Sequence, residues 1–91
     1  MTKVINVVGS IRFSAPSDYR SWLEYWEKQT KTHKSICGVI GCNNTDLVGA
    51  HVQKVEGSDK SYYITAICTA CNNKTDEFNV HWELIPVPSN L

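Results

Sequence analysis

Apolar and polar side chains alternate along several short stretches of the chain, and this period of two predicts β-strands. The first predicted strand covers residues 3–8, which are rich in β-branched side chains. Two further strands are predicted over residues 47–55 and 61–67. Between them, residues 56–60 supply the Gly, Ser and Asp side chains that favour a turn. These two strands are therefore expected to pair as a hairpin.

Between the first strand and the hairpin, the hydrophobic period becomes that of an α-helix. Tyr19, Trp22 and Trp26 recur at helical spacing, and charged residues lie elsewhere on the helical wheel. A helix is therefore predicted over residues 17–31, with Ser17 as its N-cap.

The C-terminal part of the chain carries weaker signals. Residues 72–78 are predicted to form a short helix or turn, and residues 81–88 a last strand. Pro86 and Pro88 favour an edge or an end of the sheet for that strand, because proline cannot donate to a β-ladder. Since no repeat or long linker divides the chain, residues 1–91 are predicted to form one α+β domain.

The chain is short for a domain that folds on hydrophobic burial alone, so a metal or disulfide staple is expected. Of its 91 residues, 42% are hydrophobic and four are cysteines. No apolar stretch reaches the length of a membrane span, and the N-terminal apolar run is too short for a signal peptide. We therefore expect a cytoplasmic protein, in which paired cysteines more often bind metal than form disulfides.

The four cysteines form two closely spaced pairs. Cys37 and Cys42 enclose four residues, whereas Cys68 and Cys71 enclose two. Two short loops with two thiolates each supply the tetrahedral sulfur ligands that zinc prefers. The sequence therefore predicts one structural zinc ion, closed to water by its four protein ligands. Two disulfides, redox chemistry at the second pair, or four unrelated buried thiols are the alternatives.

Part of the chain resembles the zinc-supported HNH endonucleases. The resemblance rests on the first cysteine pair, on Ala-His-Val at residues 50–52, on the predicted hairpin and on Ile-Cys-Thr-Ala-Cys-Asn-Asn-Lys at residues 67–74. It covers roughly residues 36–80 and implies a ββα-metal or treble-clef zinc finger, in which a helix starts at the second cysteine pair. The N-terminal strand and the aromatic helix lie outside it.

The resemblance carries over only one functional residue of the family intact. His51 corresponds to the general base that takes a proton from the water attacking a phosphodiester. The preceding position, where the family has a ligand of the catalytic metal, is Ala50, and the family's middle Asn and final His fall on Tyr63 and Asn72. Since loss of the metal charge costs several kcal/mol at the transition state, the resemblance implies a degenerate active site.

His51 also has a structural interpretation. Along its predicted strand it shares one face with Gly49 and Gln53, while Ala50 faces the other way. A partly exposed histidine that bonds to a neighbouring carbonyl fits that position. We therefore predict a non-catalytic zinc module that binds a protein or nucleic acid, with a reduced HNH-type nuclease centred on His51 as the alternative.

Aromatic residues are dense in the predicted helix, with four of them in the eight positions 19–26. One interpretation is that they pack the helix onto the sheet. The other is that they exceed what a small core can bury and leave an apolar surface for a partner. In that case a homodimer would form through Tyr19, Trp22 and Trp26.

A local cationic cluster follows the aromatic helix, formed by Lys28, Lys31, His33 and Lys34. Cations stabilise the C-terminal end of a helix, which is one explanation for the cluster. The other is contact with nucleic-acid phosphates through Lys28, Lys31 and Lys34. The formal net charge of zero argues against an extensive nucleic-acid surface but leaves a local one open.

Overall fold

The computed structural model describes residues 1–7 and 15–88, and an antiparallel sheet of five strands lies at its centre. The elements are β1 (Thr2–Asn6), α1 (Trp22–Thr30), β2 (Leu47–Lys54), β3 (Tyr63–Cys68), α2 (Thr69–Asn72), β4 (Phe78–Val80) and β5 (Ile85–Pro86). The strands lie in the order β4-β1-β2-β3-β5. The predicted α+β class is confirmed at this level.

The predicted hairpin is confirmed as β2 and β3, which pair from Leu47 opposite Cys68 to Val52 opposite Tyr63. Its turn is longer than predicted, because residues 61 and 62 lie outside β3. At the other end, β3 extends by one residue to include Cys68. The hairpin therefore leads directly into the second cysteine pair.

The predictions near both chain ends need correction. β1 ends at Asn6, and residue 8 of the predicted strand lies outside the described residues. The predicted helix or turn at 72–78 is wrong in extent, because α2 ends at Asn72 and Phe78 begins β4. β4 pairs with β1, placing Phe78 opposite Val4. Of the last strand predicted over residues 81–88, only β5 is a strand. It pairs with β3 at the edge of the sheet, as the prolines indicated.

The helix α1 begins later than predicted, and its N-cap is Ser21 rather than Ser17. The Ser21 hydroxyl accepts a hydrogen bond from the backbone N–H of Glu24 at 3.1 Å. Ser at the N-cap with Glu three residues later is the sequence signature of a capping box, which the printed sequence contains. The helix ends at Thr30, and its C-cap, Lys31, has a left-handed φ of 57°.

One face of the sheet, here called the helix face, is covered by α1. Trp22 and Trp26 pack with Ile64 and Ala66 of β3. The helix approaches closely because Gly49 has no side chain, and a Cβ there would overlap the backbone of Trp22. The amphipathic helix therefore buries Trp22 and Trp26 against the sheet.

The opposite face, here called the cysteine face, packs smaller side chains against the four cysteines. Its buried apolar side chains belong to Val4, Val39, Ala50, Val52, Ile67, Phe78 and Val80. The segment 38–40 closes this face, because the N–H of Gly38 donates to Ala66 O and the N–H of Ile40 donates to Asn79 O. Within the described ranges, no helix is long and apolar enough to cross a membrane.

Candidate metal centre

The four cysteine sulfurs converge on one point of the cysteine face. All four Sγ atoms lie within 4.8 Å of one another, and that of Cys42 is 3.8 Å from Cys68 Sγ and 3.9 Å from Cys71 Sγ. Tetrahedral coordination at a Zn–S distance of about 2.3 Å requires sulfurs about 3.8 Å apart. A disulfide requires about 2.05 Å, and all four thiols are free. The cluster is close enough to hold one metal ion.

Two short segments deliver these sulfurs. The first knuckle, residues 37–42, turns back on itself through a bond from the N–H of Cys42 to Val39 O and through Gly41, whose φ is 88°. The second knuckle, residues 68–71, joins β3 to α2. There Cys68 is the N-cap of the helix, and its Sγ accepts from the N–H of Cys71 at 3.4 Å.

Hydrogen bonds to the sulfurs favour their thiolate forms. The N–H of Cys68 donates to Cys37 Sγ at 3.2 Å, and the Asn44 side chain donates to Cys68 Sγ at 3.4 Å. Burial opposes ionisation of Cys68, but the hydrogen bonds from the Asn44 amide and the Cys71 N–H, together with the neighbouring Cys42 and Cys71 thiols, lower its pKa to about 7. Burial raises the pKa of Cys37 and Cys71. A bound divalent cation would offset that burial and hold all four thiolates, so the donor set fits a metal.

Hydrogen bonds also connect the second knuckle to β1. The Asn6 side-chain amide donates to Cys71 O at 3.0 Å and to Lys74 O at 2.9 Å. Asn6 lies opposite Val52, so its side chain is on the cysteine face. The sequence predicts only a strand for Asn6, because the partners of its side chain lie more than 60 residues away in the chain.

His51 lies on the helix face, as the alternation predicted, but its predicted partial exposure is wrong. Its exposed fraction is 4%, and its ring meets that of Trp22 edge-on at a centroid distance of 4.8 Å. Burial lowers the pKa of His51, which favours the neutral imidazole. The side chain is therefore covered by α1.

The other positions that correspond to HNH functional residues do not converge on His51. Ala50 is 1% exposed and packs on the cysteine face. Asn72 ends α2, which Asn6 holds to that same face. Tyr63 donates to the Asp59 carboxylate at 2.5 Å near the hairpin turn. His51 and Asn72 thus lie on opposite sides of the sheet, and a catalytic role for His51 stays a prediction.

The two predicted partner surfaces differ in how much of them is accessible. Trp26 is fully buried and Trp22 nearly so, whereas Tyr19 is half-buried and packs edge-on against Tyr25 at 5.0 Å. Trp22 and Trp26 therefore belong to the core. A homodimer through Tyr19, Trp22 and Trp26 stays a prediction.

In the cationic cluster, Lys28, Lys31 and His33 are exposed, and His33 lies 2.7 Å from the Glu27 carboxylate. Lys34 instead places its Nζ 4.3 Å from the centre of the Trp82 ring. Contact with nucleic acid through this cluster stays a prediction. Trp82, which sequence analysis assigned only to a strand, connects the cluster to the first knuckle.

Comparison with known proteins identifies no relative: no family model, no curated protein and no solved structure matches the chain.

Proposed function

We propose that this protein is a non-catalytic zinc module with an HNH-like core, which binds a macromolecular partner. One zinc ion is bound by Cys37, Cys42, Cys68 and Cys71 and stabilises the cysteine face. The observation that carries the proposal is the convergence of four Sγ atoms within 4.8 Å, from two knuckles that lie far apart in the chain.

Zinc is favoured by the chemistry of the ligands. Four thiolates in tetrahedral arrangement select zinc or iron, and zinc is the usual ion when the site only stabilises a fold. X-ray absorption on protein purified without added metal tests this assignment. We expect a zinc edge with four sulfur neighbours at about 2.3 Å, and three sulfurs in the Cys42→Ser variant. An iron edge, or fewer sulfurs in the wild type, would contradict the assignment.

The HNH-like core is supported by the order of elements, because α2 starts at the second knuckle directly after the β2–β3 hairpin. Absence of catalysis is supported by the placement of His51 under Trp22, on the other side of the sheet from Ala50 and Asn72. A general base must come within hydrogen-bond reach of the attacking water. In this arrangement α1 covers the imidazole.

A cleavage assay tests this part of the proposal. Single- and double-stranded DNA and RNA are incubated with the protein and Mg²⁺, Mn²⁺ or Ni²⁺, and no cleavage above background is expected. Cleavage that His51→Ala abolishes would establish the alternative, a nuclease with a reduced active site.

The partner is a protein or a nucleic acid, and the exposed side chains of Lys28 and Lys31 support the second. Binding of labelled oligonucleotides is measured against salt concentration, since phosphate contacts release counterions. If the cluster contacts nucleic acid, binding should weaken as salt increases. The double variant Lys31→Glu, Lys34→Glu should then abolish binding. Lys60→Glu, at the hairpin turn, is the matched control and should bind like the wild type. If the protein binds no oligonucleotide, sedimentation tests self-association through Tyr19, Trp22 and Trp26.

A further inference from the structure

Trp82 is bound to the main chain on the N-terminal side of Cys37. Its indole N–H donates to Ile36 O at 2.9 Å, and the N–H of the neighbouring His81 donates to Gly38 O at 3.0 Å. The two acceptors belong to the residues immediately before and after Cys37. The segment 81–82 thus holds the backbone on both sides of one cysteine.

Gly38 allows this contact. A Cβ at that position would lie 2.5 Å from Trp82 Cδ1 and 2.7 Å from Ala66 O. The N–H of Gly38 also donates to Ala66 O at 2.9 Å, so β3 binds the same residue. The start of the first knuckle therefore lies between the indole of Trp82 and the edge of β3.

The indole is itself held in place by neighbouring side chains. The rings of His81 and Trp82 stack at a centroid distance of 4.1 Å and an interplanar angle of 12°. Lys34 Nζ lies 4.3 Å from the centre of the Trp82 ring. Neither His81 nor Lys34 contributes an atom to the cysteine cluster, yet together they hold the Trp82 indole, which binds the main chain just before the first knuckle.

We infer that Trp82 is a positioning residue for the metal site, which slows release of zinc by holding the backbone around Cys37. Release requires a sulfur to leave the ion, and a ligand whose main chain is fixed on both sides moves away less often. Cys37 is fully buried, so its departure requires the first knuckle to open. The inference rests on the proposed zinc site.

The test is the rate at which zinc passes from the folded protein to an excess of a chromogenic chelator. Trp82→Phe keeps an aromatic ring but removes the N–H that binds Ile36 O. Trp22→Phe is the matched control, because Trp22 is also a tryptophan but lies buried on the helix face, where its ring meets that of His51. We expect Trp82→Phe to accelerate release about tenfold. Trp22→Phe should lower Tm at least as much and yet release zinc at the wild-type rate.

The outcomes separate this inference from the proposed function. Wild-type protein that contains no zinc would refute the zinc site itself. Zinc in all three proteins, with release rates that are equal or that simply follow the loss of Tm, would refute the role of Trp82. If Trp82→Phe folds poorly, His81→Ala takes its place, because this change removes only the stacked ring. His81→Ala must then also release zinc faster than the wild type. An unchanged rate would refute the role of Trp82.

Discussion

The two faces of the sheet are built by different means. On the helix face, one nine-residue helix buries Trp22 and Trp26 against Ile64 and Ala66, so large hydrocarbon contacts suffice. On the cysteine face, Val, Ala and Cys side chains lie under two short knuckles and a four-residue helix. Segments this short form few contacts of their own. The difference leads us to expect that packing holds α1 on the helix face, whereas the cysteine face, and with it the shared sheet, depends on the proposed zinc ion.

The largest effect is expected from Cys68→Ser. The Sγ of Cys68 accepts hydrogen bonds from Asn44 and Cys71, and its N–H donates to Cys37 Sγ, so its loss disturbs both knuckles of the proposed site. Structural zinc contributes about 10–16 kcal/mol in small zinc domains, which exceeds the stability of most domains. We expect the variant to bind no zinc and to show no cooperative thermal transition when unfolding is followed by circular dichroism. A variant that melts like the wild type would show that the cysteine face needs no metal.

Next in size is Trp26→Ala on the helix face. The side chain is fully buried, and its indole N–H bonds to Glu83 O. Removing it should lower the free energy of unfolding by about 3–5 kcal/mol, measured by urea denaturation of the zinc-loaded protein. The folded fraction should still contain one zinc ion per chain. Loss of zinc from folded protein would mean that the two faces are not separable.

A pair of glycine substitutions compares the faces directly. A Cβ at Gly49 would overlap the backbone of Trp22, and one at Gly38 would overlap Trp82 and the carbonyl of Ala66. Each Gly→Ala change should cost about 1–3 kcal/mol of unfolding free energy. Only Gly38→Ala should also speed the loss of zinc to a chelator. Equal zinc loss in both variants would contradict the division between the faces.

A smaller effect is expected from the charge of His51. Burial lowers its folded-state pKa below the ordinary value of 6.5, so the unfolded chain binds more protons below that pH. Stability should therefore fall as pH drops through 6.5 towards the folded pKa, in addition to any loss from the thiolates. His51→Gln removes this contribution, so its stability curve should be flatter than the wild-type curve over that range. Parallel curves from pH 7.5 to 5 would show that His51 is not protected by α1.

The smallest effect concerns the end of α1. Lys31 adopts a left-handed conformation at the C-cap, where glycine carries no steric penalty. Lys31→Gly should raise the free energy of unfolding by about 0.5–1 kcal/mol, and Lys31→Ala, which keeps the strain, should not. Zinc affinity should be the same in both variants. A loss of stability in Lys31→Gly would show that the lysine side chain makes a contact that outweighs the strain.

Local patterns in the sequence predicted the hairpin, the aromatic helix and the clustering of the cysteines, because each depends on neighbours a few residues apart. The sequence leaves open whether the aromatic side chains pack on the sheet or face a partner. The burial of His51 could not be predicted in this way, because it depends on how closely α1 approaches Gly49. β4 was missed because its three residues pair with β1 at the far end of the chain. The bond of Trp82 to Ile36 spans 46 residues and has no local signal. The Ser21 cap, by contrast, was missed in favour of Ser17, although Ser21 and Glu24 form a local capping-box signature.

The most direct test of the proposed zinc site is chelation at neutral pH under reducing conditions. A strong chelator is added to the purified protein, and zinc release and far-ultraviolet circular dichroism are followed together. If zinc stabilises the fold, one zinc ion per chain is released, the domain unfolds as the metal leaves, and one equivalent of zinc restores the fold. A chain that stays folded and metal-free after chelation would contradict the stabilising role of zinc.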